Sequence, residues 1–246
     1  EEYIEQGASA VDDKDGAIEV VISGNVNISY FGQYTLTYTA TDSSGNTSSI
    51  SRTVSVNQRP FITKWDTSLQ SYSVNNQVLI TTTGTGYNYR VDWGDGSVDL
   101  NVTGDITHTY ETPGIKTISI QGDFPQISFD SYPSDNKKLI SIEQWGEIKW
   151  RSMKNAFKGC SNVISNAEDT PDLSLVTDMS NMFENAHIFN QPLNGWNVST
   201  VTNMENMFEN ALIFNQELDD WDVSSVTNMS RMFWNANSFN QEIGSW

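Results

Sequence analysis

PDLSLVTDMSNMFENAHIFNQPLNG (Pro171 to Gly195), WNVSTVTNMENMFENALIFNQELDD (Trp196 to Asp220) and WDVSSVTNMSRMFWNANSFNQEIGS (Trp221 to Ser245) are one pattern written three times. Trp196, Trp221 and Trp246 recur at a strict interval of 25 residues. A period of this size predicts units that bury their apolar faces only against their neighbours. Such an architecture offers surface and length, and points away from a catalytic pocket.

Within the copy that opens at Trp196, Val198 and Val201 flank a short extended piece. Thr202 stands at an N-cap position and Glu205, three residues on, completes a capping box. Met204, Met207, Phe208 and Ala211 follow at i, i+3, i+4 and i+7, the spacing of one helical face. Phe214 and Leu218 return to the interior. The expected coil is therefore a strand, a short helix and a return loop. Trp150 to Cys160 reads as a degenerate first copy, with Met153, Ala156 and Phe157 matching Met179, Met182 and Phe183. Atypical terminal repeats are expected where a stack is capped. Cys160 stands in register with Ala186, Ala211 and Ala236, as a small buried filler would.

Asn210, Asn215 and Gln216 recur as Asn185, Asn190 and Gln191, and again as Asn235, Asn240 and Gln241. Unpaired buried amides are costly, so a structural ladder from coil to coil is expected. A polar ligand row is the alternative, but a ladder needs every rung and a site needs one. The positions that differ between copies are the better candidates for recognition. Glu205, Asn206, Glu209, Arg231 and Trp234 fall on or near the expected outer face. Arg and Trp are enriched at binding hot spots. The competing role for Trp234 is to cover a further coil.

Upstream of the repeats the period falls to two. Gly32 to Ala40 alternates Tyr34, Leu36, Tyr38 and Ala40 with Gln33, Thr35, Thr37 and Thr39, which predicts a strand with one buried face. Ile18 to Ile22 and Ile50 to Val56 predict further strands around the turn at Asp42-Ser43-Ser44-Gly45-Asn46. Gln58-Arg59-Pro60 reads as a linker. Beyond it, Asp95-Gly96 and Pro113-Gly114 mark tight turns in a second β unit. Phe124 to Phe129 and Leu139 to Ile142 also read as strands. The expected fold class is multidomain: a β-sandwich over 1–57, a second over 58–122, and an α/β solenoid over 123–246 whose first part, 123–170, is a cap and degenerate repeat.

The net charge of −18 disfavours nucleic acid and anionic membranes as partners. One cysteine precludes an internal disulfide, and no apolar run reaches membrane-spanning length. The chain opens on Glu1 and closes on a repeat-initiating Trp, so a signal, an anchor and further repeats are expected outside it. Asp92 and Asp95 form a carboxylate pair of the kind used in glycoside hydrolysis, but their place in a turn points to structure. His108 and His187 are far apart, and His187 is replaced by Leu212 and Asn237 in later copies. Asp12, Asp13 and Asp15 end in Gly16, an oxygen-rich turn that suits either solvent or calcium. No cofactor beyond that ion is expected.

Three resemblances accompany these residues. Gly7 to Gly16, Gly32-Gln33-Tyr34, Tyr38 to Asp42 and Gly45-Asn46 resemble bacterial immunoglobulin-like domains of cell-surface proteins. Trp93-Gly94-Asp95-Gly96 followed by His108-Thr109-Tyr110 and Pro113-Gly114 resembles a PKD domain. The signature W-x-V-S-x-V-T-N-M-x-x-M-F-x-N-A-x-x-F-N-Q, at Trp196 to Gln216 and Trp221 to Gln241, resembles BspA-type leucine-rich-repeat surface proteins. The copy at Pro171 departs from it, with Pro for Trp and Asp178 for Asn. Together the resemblances imply a non-catalytic extracellular protein: spacers, then repeats that adhere to or recognise a protein or glycan on another cell or matrix. A fibre subunit that stacks on copies of itself is one alternative. An accessory region of a secreted degradative enzyme is another.

Overall fold

The computed structural model describes residues 3–27, 32–130, 133–244 and 246. Two compact units divide the chain, Glu1–Gln58 and Arg59–Trp246.

In the first unit, β1 (Ala10–Asp12) and β2 (Gly16–Ile18) form an antiparallel hairpin. Strands β3 (Val20–Ser23), β4 (Gly32–Thr41) and β5 (Thr47–Val56) form a separate antiparallel sheet in that order. The alternation seen in the sequence puts Leu36 and Tyr38 of β4 inside, while their surroundings on β5, such as Ile50, stay exposed. The interior is correspondingly thin. Polar anchors supplement it. Glu5 accepts hydrogen bonds from the Tyr3 hydroxyl, from the Tyr38 hydroxyl at 2.8 Å and from Gly7 N at 2.9 Å. The Tyr3 hydroxyl first, then Tyr38 and the Gly7 amide, hold its carboxyl down to about 2.

The second unit contains a six-stranded sheet ordered β13-β12-β6-β11-β8-β9 and a two-stranded sheet, β10-β7. Its members are β6 (Phe61–Asp66), β7 (Gln77–Ile80), β8 (Asn88–Asp92), β9 (Val98–Val102), β10 (Ile106–Thr109), β11 (Ile115–Asp123), β12 (Leu139–Gln144) and β13 (Ile164–Ser165). In β6 the pleat buries Phe61, Thr63 and Trp65 in turn. Because β12 pairs with β6, one sheet runs through the position where 122 meets 123. Phe124–Phe129, which reads as a strand, forms none here. Phe124, Ile127 and Phe129 are nevertheless buried, and Phe129 N donates to Asn155 O at 3.0 Å. One apolar core continues from Phe61 and Trp65 into the repeats as far as Met232.

The α/β leucine-rich-repeat-like solenoid expected for 123–246 is corrected by this structure. Among the described residues there is no helix, and the chain is all β-strand, turn and irregular backbone. The presumed helix is a run of tight turns. Met207 N donates to Met204 O at 3.2 Å, Glu209 N to Asn206 O at 3.0 Å and Ala211 N to Phe208 O at 3.0 Å. The residues between them look outward to the next repeat. Met204 N, Asn206 N, Phe208 N and Asn210 N donate to Asn228 O, Ser230 O, Met232 O and Trp234 O at 2.8 to 2.9 Å. The same four-bond pattern joins Met179, Asn181, Phe183 and Asn185 to Asn203, Glu205, Met207 and Glu209.

A helix fails because two positions in each copy have left-handed backbone. Asn181, Asn206 and Arg231 have φ of 54–57°, and Asn185, Asn210 and Asn235 have φ of 57–60°. Left-handed residues cannot extend a right-handed helix, and Asn is among the few non-Gly residues that adopt this region readily. The presumed capping box is dismantled too. Thr202 N and Oγ1 donate to Thr177 O in the preceding repeat, and Asn203 Oδ1 accepts Glu205 N at 3.1 Å.

Side chains repeat the same register. Phe157, Phe183, Phe208 and Phe233 stack with centroids 5.5, 5.8 and 5.6 Å apart. A parallel column of Phe189, Phe214 and Phe239 has spacings of 6.3 and 5.9 Å. Asn181 Nδ2 donates to Asn155 Oδ1 and Asn206 Nδ2 to Asn181 Oδ1; Asn210 and Asn235 continue a second ladder from Asn185. Asn190 Oδ1 takes both Asn215 N and Gln216 Nε2. Cys160 is fully buried, and desolvation pushes its thiol pKa well up.

Candidate recognition surface

The five variable residues separate once the repeats are folded. Asn206 belongs to the amide ladder, and Glu205 Oε2 accepts Asn228 Nδ2 at 3.2 Å. Glu209 is only 9% exposed and accepts Arg231 Nη2 at 3.1 Å. The Arg231 guanidinium also lies over the Trp234 ring, 4.4 Å from its centroid. Trp234 is 53% exposed, which leaves it the large outward aromatic of the repeats. Glu209, Arg231 and Trp234 thus form one chain of contacts. The left-handed turn at Arg231 orients it, and Glu209 fixes the guanidinium that braces the indole.

Beside Trp234 lies an open, mainly apolar hollow of about 330 Å³, lined by Met229, Met232, Phe233, Ile243 and Trp246. Met229, Met232 and Phe233 are the counterparts of Met204, Met207 and Phe208, which the sequence reading placed inside. Met204, Met207 and Phe208 are fully buried, whereas Met229 and Phe233 are half-buried.

The other candidates resolve as structure. Asp95 accepts from Ser97 N and Oγ and lies 2.8 Å from His108 Nε2. The Ser97 hydroxyl foremost, then His108, holds its carboxyl well below the usual range. His108 in turn stacks on Trp93 at 4.7 Å, and the Tyr110 hydroxyl donates to Trp93 O at 3.0 Å. Asp92 accepts Gly94 N at 3.1 Å and pairs with Arg90 at 3.1 Å. Gly94 sits at φ 76° with Thr117 O only 2.3 Å from where a Cβ would be, so the turn requires glycine.

Asp12, Asp13 and Asp15 do not converge. Asp12 Oδ1 accepts Lys14 N and Asp15 N, and Asp15 accepts Ser43 N and Oγ. Among the described residues, no group of three or more His, Cys, Asp or Glu is placed to hold a metal ion. His108 lies in β10, whereas His187 lies in a turn of the repeats.

Comparison with known proteins gives two family matches. Residues 151–246 are similar to a family described as Mycoplasma protein of unknown function, DUF285. Residues 1–56 are similar to the Ig-like domain of bacterial surface proteins. No curated protein and no solved structure gives a significant match. No helix among the described residues is long and apolar enough to cross a membrane. The first unit is therefore similar to a bacterial surface-protein module.

Proposed function

We propose that this chain is the non-catalytic recognition region of a bacterial surface protein, with the repeats adhering to a protein or glycan on another cell or matrix. The strand-rich regions, including the PKD-like stretch around Trp93 and His108, act as spacers. The observation that carries this reading is Trp234: a half-exposed indole braced by Arg231 and Glu209 beside an apolar hollow. A rigid aromatic anchor with a fixed cation and adjoining apolar surface is the make-up of a binding hot spot. The test is an array of matrix proteins and glycans probed with the full chain and with Trp234→Ala, with and without calcium. The expected outcome is a ligand whose binding falls by ~10-fold or more in the variant. An array without any hit, or an unaffected one, would contradict the reading. Assays with glycan and peptide substrates should give no turnover; activity abolished by Asp92→Asn or Asp95→Asn would overturn the non-catalytic assignment.

Self-association as a fibre subunit is a second reading, and the repeat backbone argues against its head-to-tail form. Met229, Arg231, Phe233 and Asn235 stand where donors to a following repeat stand in earlier copies. The opposite face of the stack is closed, because Gln126 Nε2 donates to Lys154 O at 2.8 Å and Asn136 Nδ2 to Lys158 O at 3.4 Å. Head-to-tail growth through these two faces is thereby disfavoured. Sedimentation at rising concentration distinguishes the readings, since fibre formation demands large species.

A further inference from the structure

We propose a second, separate binding site: a cavity between the first two repeats that takes a single pyranose ring. The cavity measures about 230 Å³ and has Trp145, Trp196, Phe189 and Leu193 among its walls. It exists because two repeat positions are filled by smaller residues. In the irregular first copy, which runs 26 residues behind the next where Asn155 pairs with Asn181, Ala167 falls in register with Leu193, and Pro171, 25 residues before Trp196, stands where later copies carry Trp. Elsewhere in the stack these positions are closed by large side chains.

The hydrogen bonding changes at the same place. Trp221 Nε1 donates to Leu193 O at 2.9 Å, and Trp246 Nε1 to Leu218 O at 3.3 Å. Among the described residues, Trp196 has no corresponding bond, although its ring lines the cavity. The bond that two copies make is thus missing in the one beside the cavity. Trp145 and Trp196 meet edge to face, with centroids 5.3 Å apart and planes at 89°. The two rings form an aromatic corner rather than a closed slot.

The rim is polar and mixed. It includes the hydroxyls of Ser165 and Thr170 and the carboxylate of the exposed Glu168. Asp169 also lines it, but its oxygens are occupied by Trp145 N and Gly146 N, both at 2.9 Å. Hydroxyls that both donate and accept, one free carboxylate and one indole N–H match a ligand whose own groups both donate and accept. A sugar ring meets this need, since its C–H face packs on an aromatic wall and its hydroxyls reach the rim. The site is independent of Trp234, so its fate and that of the recognition reading are separable.

The test is titration of the full chain with D-glucose, D-galactose, D-mannose, N-acetylglucosamine and their methyl glycosides. Tryptophan fluorescence and saturation-transfer NMR provide the readouts. Saturable binding of at least one is expected, and Trp234→Ala should leave it unchanged. Ala167→Leu restores the residue type of the later copies and should weaken binding by ~10-fold or more while keeping or raising the melting temperature. If that variant loses its fold, Glu168→Gln decides: binding weakened several-fold supports the site, and unchanged binding overturns it. A methyl glycoside bound as well as the free sugar identifies a glycan end as ligand; binding of the free sugar alone upholds the site for a soluble monosaccharide. Failure of every sugar to saturate, or full binding by a folded Ala167→Leu, overturns the proposal.

Discussion

Asn206 and Asn210 each perform two tasks that few residues combine. Both hold left-handed backbone at φ 54° and 57°, and both pass an amide hydrogen bond to the preceding repeat, at 2.9 and 3.0 Å. Asn210 also receives Asn235 Nδ2 at 2.7 Å, whereas Asn206 Oδ1 is buried without a partner. The difference lies in the next copy, where Arg231 replaces the Asn and turns to Glu209 instead. Asn210→Ala removes two amide bonds and imposes a side chain poorly suited to positive φ, so a loss of about 2–4 kcal/mol is expected. Asn210→Gly keeps the backbone and should lose only part of that, about 1–2 kcal/mol. Chemical denaturation of both variants checks the order; equal losses would show that the left-handed turn carries no cost here.

At the level of the element, the repeat is a chain of turns whose aromatic residues stand in columns. Phe208 stacks on Phe183 at 5.8 Å, Phe233 at 5.6 Å and Phe214 at 4.1 Å, and is fully buried. Phe208→Ala should therefore cost about 3–5 kcal/mol. Phe233→Ala, half-buried at the last copy, should cost clearly less, and thermal melts of the pair test the gradient. This element also shows what could be read in advance. The period, the buried Met, Phe and Ala positions and the Asn ladder were legible, because a repeated packing contact leaves a repeated residue. Helix and serial turns were not distinguishable by apolar spacing: both bring Met204, Met207, Phe208 and Ala211 inward. The discriminating residues were Asn206 and Asn210, whose left-handed preference was outweighed in the reading by a capping-box pattern. The buried Lys138, whose ammonium donates to Ser73 O, Val74 O and Gln77 O at 2.9 to 3.0 Å, was not legible at all. Those carbonyls are more than sixty residues away, and the nearby Asp135, 3.9 Å from the ammonium, does not by itself point to them. Of the candidate surface, Arg231 and Trp234 were singled out through variation between copies. The cavity at Ala167 was missed because a small residue in an irregular first repeat looks like decay rather than space.

On the scale of the whole molecule, the two units differ sharply in interior. The first buries only Leu36 and Tyr38 among its described hydrophobic residues, whereas one apolar core runs from Phe61 to Met232 in the second. Heating should therefore give two transitions, with 3–27 and 32–56 losing amide protection first and the repeats last. A single cooperative transition in hydrogen exchange would contradict this. The central claim is that each repeat spends alternate backbone N–H groups on its neighbour, without a helix. It is tested most directly by NMR scalar couplings across hydrogen bonds in the deuterated chain. Couplings should connect the amide nitrogens of Met204, Asn206, Phe208 and Asn210 with the carbonyl carbons of Asn228, Ser230, Met232 and Trp234. Couplings from these amides to carbonyls four residues earlier, as in an α-helix, would contradict it.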